Sequence, residues 1–276
     1  MALPFITVNS SDNRWVLSGW PDVVKWCRAR NDQGIRVTID ILGESSSKEK
    51  EIQDSVKEYT EMVRMIALER LDAAVTIKVT SLGYLLDRQG CLTSVLEIGR
   101  AANDAKVGFE IDMEGRSLVD FSLMAARSCA ENGLKLTIAL QAYLKRTAND
   151  LEAMIESGIR IRLVKGAYVG DISDFQEIQS RFVGLAKALS ESGDEFALGT
   201  HDSQIISWAE AEMGRSKDKM ELGMLKGLSD ETKLDLAKKG WRVVEYVPFG
   251  PNATAYVQRR LEYLQKLKAL GRSPAP

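Results

Sequence analysis

Residues 135–168 read KLTIALQAYLKRTANDLEAMIESGIRIRLVKGAY, and this stretch decides the fold. It opens on a short apolar run, Lys135–Leu140, passes through a helical pattern at Asn149–Glu156, and closes on a second short run, Ile159–Val164. Two such runs joined by a helix make a βαβ unit. Parallel strands covered on both faces carry continuous rather than alternating apolar residues. The unit repeats in both directions. Upstream lie Arg36–Leu42, Ala74–Val79 and Val107–Asp112; downstream lie Glu195–Thr200, a weaker run at Lys219–Leu222, and Arg242–Val247. Helical patterns fill the remaining gaps at Ser47–Arg70, Leu92–Ala105, Leu118–Glu131, Ser173–Ser190, Ser203–Met213, Asp230–Lys239 and Asn252–Leu270.

Eight strands alternating with eight helices predict an α/β chain folded as a (βα)8 TIM-like barrel over residues 36–270, in preference to an open doubly wound sheet. An extra helix at Pro21–Arg30, in an N-terminal segment 1–35, has proline in its first turn and Gly34 beyond its end. It is expected to plug the bottom of the barrel. The final helix is expected at the barrel mouth, followed by a flexible tail, Gly271–Pro276.

Composition narrows the function. Of the 276 residues 45% are apolar and 28% charged, which excludes disordered, collagenous and disulfide-stapled classes. Lys and Arg number 37 against 39 Asp and Glu, a net charge of −2 that does not suit a nucleic-acid partner. Cys27, Cys91 and Cys129 form no CxxC pair and read as reduced, buried thiols of a cytoplasmic protein. The single histidine, His201, rules out a zinc site built on two or three histidines, and no metal is expected. Neither GxGxxG nor GxxxxGKS occurs, so a nucleotide would be held without those loops. The start, Met1–Val8, lacks a basic region and carries Pro4, so it does not read as a targeting segment. No run approaches the ~18 apolar residues of a membrane span. The expected location is cytoplasmic, at most peripheral at the inner face of a membrane.

A β/α barrel carries its active site at the C-terminal strand ends. Those ends supply Lys78, Asp112 with Glu114, Gln141 with Lys145 and Arg146, Arg162 with Lys165, the run Thr200-His201-Asp202, Glu221 and Tyr246. Charged groups in a barrel are costly unless paired or facing a ligand. Lys78 and Asp112, from neighbouring strands, can form a simple buried salt bridge or a ligand contact. Gly166 and Ala167 leave the backbone bare between cations, as a strand-end turn or as a ligand approach. His201 can be a hydrogen-bonded core group or a ligand contact. On the last helix Tyr256, Arg259 and Arg260 share one face by their i, i+3, i+4 spacing. Two planar guanidinium groups and a ring suit a small carboxylate with an apolar body, and equally a basic surface helix.

Taken together, TIDILGE (38–44), IKVTSLG (77–83), IDMEG (111–115), LQAYLKRT (140–147), RLVKGAY (162–168), THD (200–202) and YVPFG…AYVQRRL (246–261) resemble the motifs of proline dehydrogenases of the single-function bacterial and archaeal type. The matches keep their order and span essentially the whole barrel. The resemblance implies a distorted (βα)8 barrel that holds FAD non-covalently, oxidises L-proline to Δ1-pyrroline-5-carboxylate, and passes electrons to a quinone-type acceptor. It implies a FAD contact set of Met113, Gln141, Arg162, Val164, Lys165, Gly166, Ala167, Thr200 and His201. By the same resemblance Arg259 and Arg260 bind the proline carboxylate with Lys78 reinforcing them. Asp112, Leu225, Tyr246 and Tyr256 line the pocket, and Lys78, Arg162 and Tyr246 stand nearest the chemistry. The chain departs from the family pattern at Asp202, where Asn is usual, at Gly223 and Lys226, and at Tyr263-Leu264 after Glu262. A Schiff-base lyase or aldolase using Lys78 or Lys165 is the alternative on this fold. A non-catalytic barrel that binds a small ligand is a third reading, though it gives no reason for Arg162 and the arginine pair to share one mouth.

Overall fold

A computed structural model describes residues 14–43 and 48–276; Glu44, the end of the first motif, lies outside the described residues. In chain order the elements are α1 (Trp20–Asp32), β1 (Ile35–Ile41), α2 (Glu49–Leu68), β2 (Ala73–Ile77), α3 (Arg88–Asp104), β3 (Gly108–Ile111), α4 (Val119–Glu131), β4 (Thr137–Gln141), α5 (Thr147–Glu156), β5 (Arg160–Val164), α6 (Phe175–Ser192), β6 (Phe196–Gly199), α7 (Ser203–Glu212), β7 (Met220–Leu225), α8 (Asp230–Lys238), β8 (Arg242–Phe249) and α9 (Thr254–Ala269). The strands pair in parallel in sequence order, and β8 closes back onto β1 from Ile35↔Val243 to Ile41↔Phe249. The expected barrel is present.

Pleating divides each strand between two environments. Val37, Ile39, Ile77, Ile111, Ile138, Ile161, Leu163, Leu198 and Leu222 are buried in the main apolar core. The alternate residues carry polar groups instead: Arg36, Thr38 and Asp40 on β1, Glu110 on β3, Arg160 and Arg162 on β5, Glu221 on β7 and Tyr246 on β8. These polar side chains meet one another across the barrel, so its interior is an ion-pair lattice rather than stacked aliphatic layers.

Three expectations change. The seventh strand runs to Leu225 instead of stopping at Leu222, so Glu221 lies near its start and not at the mouth. There Glu221 takes Arg36 at 2.9 Å and Arg160 at 3.3 Å. Burial alone would raise its carboxyl; the two guanidinium groups outweigh that and hold it below its usual value. Second, α1 does not plug the bottom. It packs on the outside against β1 and β8, where Trp26 and Arg30 bond to Glu245, a neighbour in sequence of Tyr246 that points the opposite way. Helix α9 has left that ring position for the mouth, and α1 fills it. Third, the tail is docked. Ala275 donates to the His201 carbonyl at 2.9 Å, and the Pro276 oxygen accepts from the Thr232 amide and hydroxyl. Its order comes from partners distant in sequence, which composition does not display.

Candidate active site

Four strands deliver one buried cluster. Lys78 follows β2 and Asp112 follows β3; Arg162 projects from β5 and Tyr246 from β8. The Lys78 ammonium donates to Asp40 Oδ1 at 2.6 Å and to the Tyr246 hydroxyl at 3.2 Å, and lies 3.2 Å from Asp112 Oδ2. Its three protons thus face three acceptors. Tyr246 donates to Asp112 Oδ2 at 2.6 Å. Arg162 bonds the other Asp112 oxygen and reaches Glu110 at 3.0 Å, and Thr38 donates to Glu110 from the opposite wall at 3.1 Å.

These contacts fix the charge states. Burial opposes the Lys78 cation, but Asp40 and Asp112 outweigh it and push the ammonium well above its usual range. Burial likewise opposes the Asp112 carboxylate, and Lys78, Arg162 and Tyr246 overcome it, holding Asp112 at about 2. The Tyr246 hydroxyl is raised by burial and then by Asp112. Asp40, completely buried, goes the other way: burial raises its carboxyl more than Lys78 lowers it. Neither Asp40 nor Glu110 was among the expected site residues. Each is a charge inside an apolar run, VTIDIL and VGFEID, and that interruption was the available signal.

The remaining expected residues ring this cluster. Gln141 donates to the carbonyls of Met113 and Glu114 at 3.0 and 2.8 Å, and its own Oε1 is buried without a partner among the described residues. Glu114 accepts from the amide and hydroxyl of Thr80, which locks that loop. Lys165 pairs with Asp202 at 2.6 Å. Thr200 accepts from the Asp202 amide at 3.1 Å, and Asp202 caps α7 through the Gln204 and Ile205 amides. The bare backbone at Gly166 has an internal reason: with φ at 129° and an added Cβ falling 1.4 Å from the Tyr143 ring, only glycine fits. The Val164 carbonyl accepts from Ala142, so residues 164–168 wrap Tyr143. Lys145 and Arg146 point elsewhere; Arg146 pairs with Asp120 and Asp150 on the outer face.

His201 is committed on both nitrogens. Nε2 accepts from the Leu225 amide at 3.0 Å and Nδ1 lies 3.0 Å from Ser229 Oγ. An Nε2 acceptor requires a neutral ring protonated at Nδ1. Burial, then Lys233 and Arg260, push its pKa down to about 3. Lys233, in turn, donates to the Leu225 carbonyl at 2.9 Å, so both backbone groups of Leu225 are bolted.

Helix α9 crosses the mouth. Tyr256 is buried with Trp15, Val16, Leu42 and Val257, and its hydroxyl has no partner among the described residues. Burial raises Tyr256 to about 12, and it senses Arg260, Asp40, Lys78 and Arg259, so clamp and cluster share one electrostatic neighbourhood. Arg260 lies 5.1 Å from the Tyr256 ring and Arg259 5.2 Å from that of Tyr168.

The family model for proline dehydrogenase matches residues 23–264, all of the barrel and most of α9. The chain belongs to the proline dehydrogenase family. It is 34% identical over 245 residues to proline dehydrogenase 1 of Bacillus subtilis subsp. natto, covering 86% of this chain and 81% of that one. It is 29% identical over 249 residues to the proline dehydrogenase of Deinococcus radiodurans, with 85% and 79% covered. Among solved structures, proline utilization A from Bdellovibrio bacteriovorus, inactivated by N-propargylglycine, superposes with a TM-score of 0.83 at 23% identity. That match covers 90% of this chain but 32% of the larger one, and it speaks for the fold. As a proline dehydrogenase the chain is an oxidoreductase of proline catabolism acting on a CH–NH bond. Membership displaces the lysine-nucleophile alternative. Lys78, saturated by three acceptors and held charged, is unsuited to attack a carbonyl.

Proposed function

We propose that this dehydrogenase oxidises L-proline to Δ1-pyrroline-5-carboxylate with FAD held in the barrel mouth, and passes the electrons to a quinone-type acceptor. One observation carries the reading. Gln141 Oε1, Arg162 Nε, Tyr256 OH and Arg260 Nε are all buried and all lack a partner among the described residues. Leaving a polar group buried and unsatisfied costs about 1–3 kcal/mol. Four of them around one mouth fit a polar, partly anionic ligand set.

In this reading Met113, Gln141, Arg162, Val164, Lys165, Gly166, Ala167, Thr200 and His201 hold the cofactor. His201 contributes its ring surface, both nitrogens being engaged internally. When bound, the flavin supplies the hydride acceptor. Arg259 and Arg260 grip the substrate carboxylate and Lys78 reinforces them. Leu225, Tyr246 and Tyr256 wall the ring, while Asp112 fixes Lys78, Arg162 and Tyr246 in place. With Lys78 and Arg162 held cationic and Asp112 anionic, positioning and electrostatics are the protein's contribution. Among the described residues no helix is long and apolar enough to cross a membrane, so a quinone would be met at a surface.

Anaerobic addition of L-proline should bleach the flavin absorbance, and acid release followed by chromatography should yield FAD. Recovery of FMN alone, or a spectrum unmoved by L-proline, refutes the proposal.

A further inference from the structure

Strand β7 outruns its neighbour. Parallel pairing of β6 with β7 goes from Phe196↔Met220 to Gly199↔Gly223, and the Thr200 amide then donates to the Gly223 carbonyl. Beyond that point the chain of β6 turns into α7, so Leu225 has no strand on that side. Backbone amides and carbonyls out of reach of water need a partner. Two side chains stand in for the missing strand. His201 Nε2 accepts from the Leu225 amide at 3.0 Å, and the Lys233 ammonium donates to the Leu225 carbonyl at 2.9 Å. On the other side the ladder continues: Leu225 pairs with Tyr246, and the Lys226 amide donates to the Tyr246 carbonyl at 2.9 Å. Leu225, itself only half-buried, therefore shares its register with a member of the charged cluster.

Both stand-ins are fixed in their turn. Lys233 is completely buried on α8, and its other two contacts are Asp230 at 3.0 Å and Glu245. Glu245, also completely buried, is gripped from α1 by Arg30 at 2.9 Å. His201 Nδ1 is 3.0 Å from the hydroxyl of Ser229, a residue held at φ 56° where side chains other than glycine are uncommon. A buried Lys–Glu pair is an expensive staple between a helix and a barrel, and aliphatic residues of the same volume would serve as well. An aliphatic side chain could not donate to a carbonyl. That is what the lysine adds, and it adds it at Leu225.

We infer that Lys233 and His201 are positioning residues that fix the backbone of Leu225, and that through Leu225 they set the size of ring the substrate pocket admits. The inference rests on the reading above that Leu225 walls the substrate ring, and deepens it by tracing that wall to the helices outside the barrel. A wall bonded at both its amide and its carbonyl does not yield, so a six-membered imino acid, one methylene larger than proline, is refused. One methylene in a packed apolar pocket is worth about 10- to 200-fold in discrimination.

The test compares kcat/KM for L-proline and for L-pipecolate, its six-membered homologue, on the flavin-loaded full chain. Leu225→Ala should cut the preference for proline about 10-fold. Lys233→Met, which fills the space and leaves Glu245 paired with Arg30, should cut it by a similar factor with flavin per chain unchanged. On the Leu225→Ala background Lys233→Met should change the ratio no further, because the lysine acts only through that wall. Asp230→Asn, which removes an acceptor of Lys233 and keeps its bond to Leu225, should spare the ratio. In flavin-free protein, amide exchange over residues 224–229, followed by mass spectrometry, should quicken about 10-fold in Lys233→Met. Ser229→Ala, which takes the partner from His201 Nδ1, should shift the preference in the same direction and carries the test if Lys233→Met does not fold. Wild-type preference in Leu225→Ala overturns the wall reading and the inference with it. A shifted Leu225→Ala beside an unshifted Lys233→Met (or, where that does not fold, an unshifted Ser229→Ala) overturns the inference alone. So do additive losses in the double variant, or an Asp230→Asn that moves the ratio as far as Lys233→Met.

Discussion

Replacing Lys78 by methionine tests whether the ion-pair lattice holds the mouth together. The side chain is almost completely buried and supplies the cation that lies 2.6 Å from Asp40 and 3.2 Å from Asp112. Methionine fills the space and leaves Asp40 buried without its cation. Breaking a buried pair from one side costs about 3–5 kcal/mol. At about 2–4 °C per kcal/mol for a chain of this size, the melting temperature should fall by roughly 6–20 °C. Asp112 suffers less, since Arg162 and Tyr246 remain. Removing both partners, Lys78→Met with Asp40→Leu, should recover more than half of the loss, because no orphaned charge remains. The effect also has a pH signature. Lys78 is raised above its ordinary 10.5, so its contribution is complete below 10.5 and disappears only as pH climbs through the higher folded value. Asp112 is held at about 2 against an ordinary 3.8, so its contribution is complete above 3.8 and is lost as pH falls toward 2. Lys78 is also the group that lowers Asp40, whose carboxyl burial already holds above its ordinary 3.8, so without it the buried charge is avoided only at acid pH and the gap between wild type and Lys78→Met should widen as pH rises. Thermal unfolding by circular dichroism, with and without flavin, measures all three arms. A Lys78→Met protein that melts with the wild type, or a double variant whose loss is the sum of the two singles, refutes the reasoning.

Arg259→Lys and Arg260→Lys keep charge but lose the planar fork, and each should raise the proline KM by roughly 10- to 150-fold with flavin content unchanged; unaltered KM in both would put the carboxylate elsewhere. The single histidine makes its NMR signals unambiguous. With a folded value of about 3 against an ordinary 6.5, the His201 imidazole should not titrate between about pH 8 and pH 5, and its stabilising effect should be complete above 6.5 and decline as pH falls from there toward 3; a midpoint near 6.5 in the folded protein would show that its two hydrogen bonds are not made. Gly166→Ala should drive the 164–168 turn off the Tyr143 ring, read as faster proteolysis in that turn and loss of flavin, and wild-type protection would contradict the contact.

The barrel is legible in the sequence because parallel strands covered on both faces write themselves as uninterrupted apolar runs. Where a run was interrupted, reading became harder. Gly223 breaks MELGML in the middle, so the apolar run reads as ending three residues early, which moved Glu221 from the floor of the barrel to its mouth. Asp40 and Glu110 interrupt their runs with charge, and alternation alone would have aimed both inward, next to Lys78 and Arg162. The partner choice could not be read. Lys78 takes Asp40 at 2.6 Å more closely than Asp112, and strand adjacency offers both carboxylates equally, because β2 lies between β1 and β3.

The features that stayed hidden are those made by long separations in sequence. His201 and Leu225 are 24 positions apart, and Arg30 and Glu245 are 215 apart. Local pattern carries no trace of either bond. The tail is the clearest case. GRSPAP has the composition of a loose end, yet its order depends on His201, Thr232, Gln179 and Gln204, each supplied by an element that starts at the mouth. That dependence runs both ways. Helix α9 carries Tyr256, Arg259 and Arg260, and it is held between the Trp15–Leu42 cluster at one end and the docked tail at the other. Displacing α9 from the outer ring freed it to cover the mouth. α1 closed the gap that it left, and the tail anchors its far end. The same rearrangement therefore accounts for the extra N-terminal helix, the position of the arginine pair and the burial of Ala275.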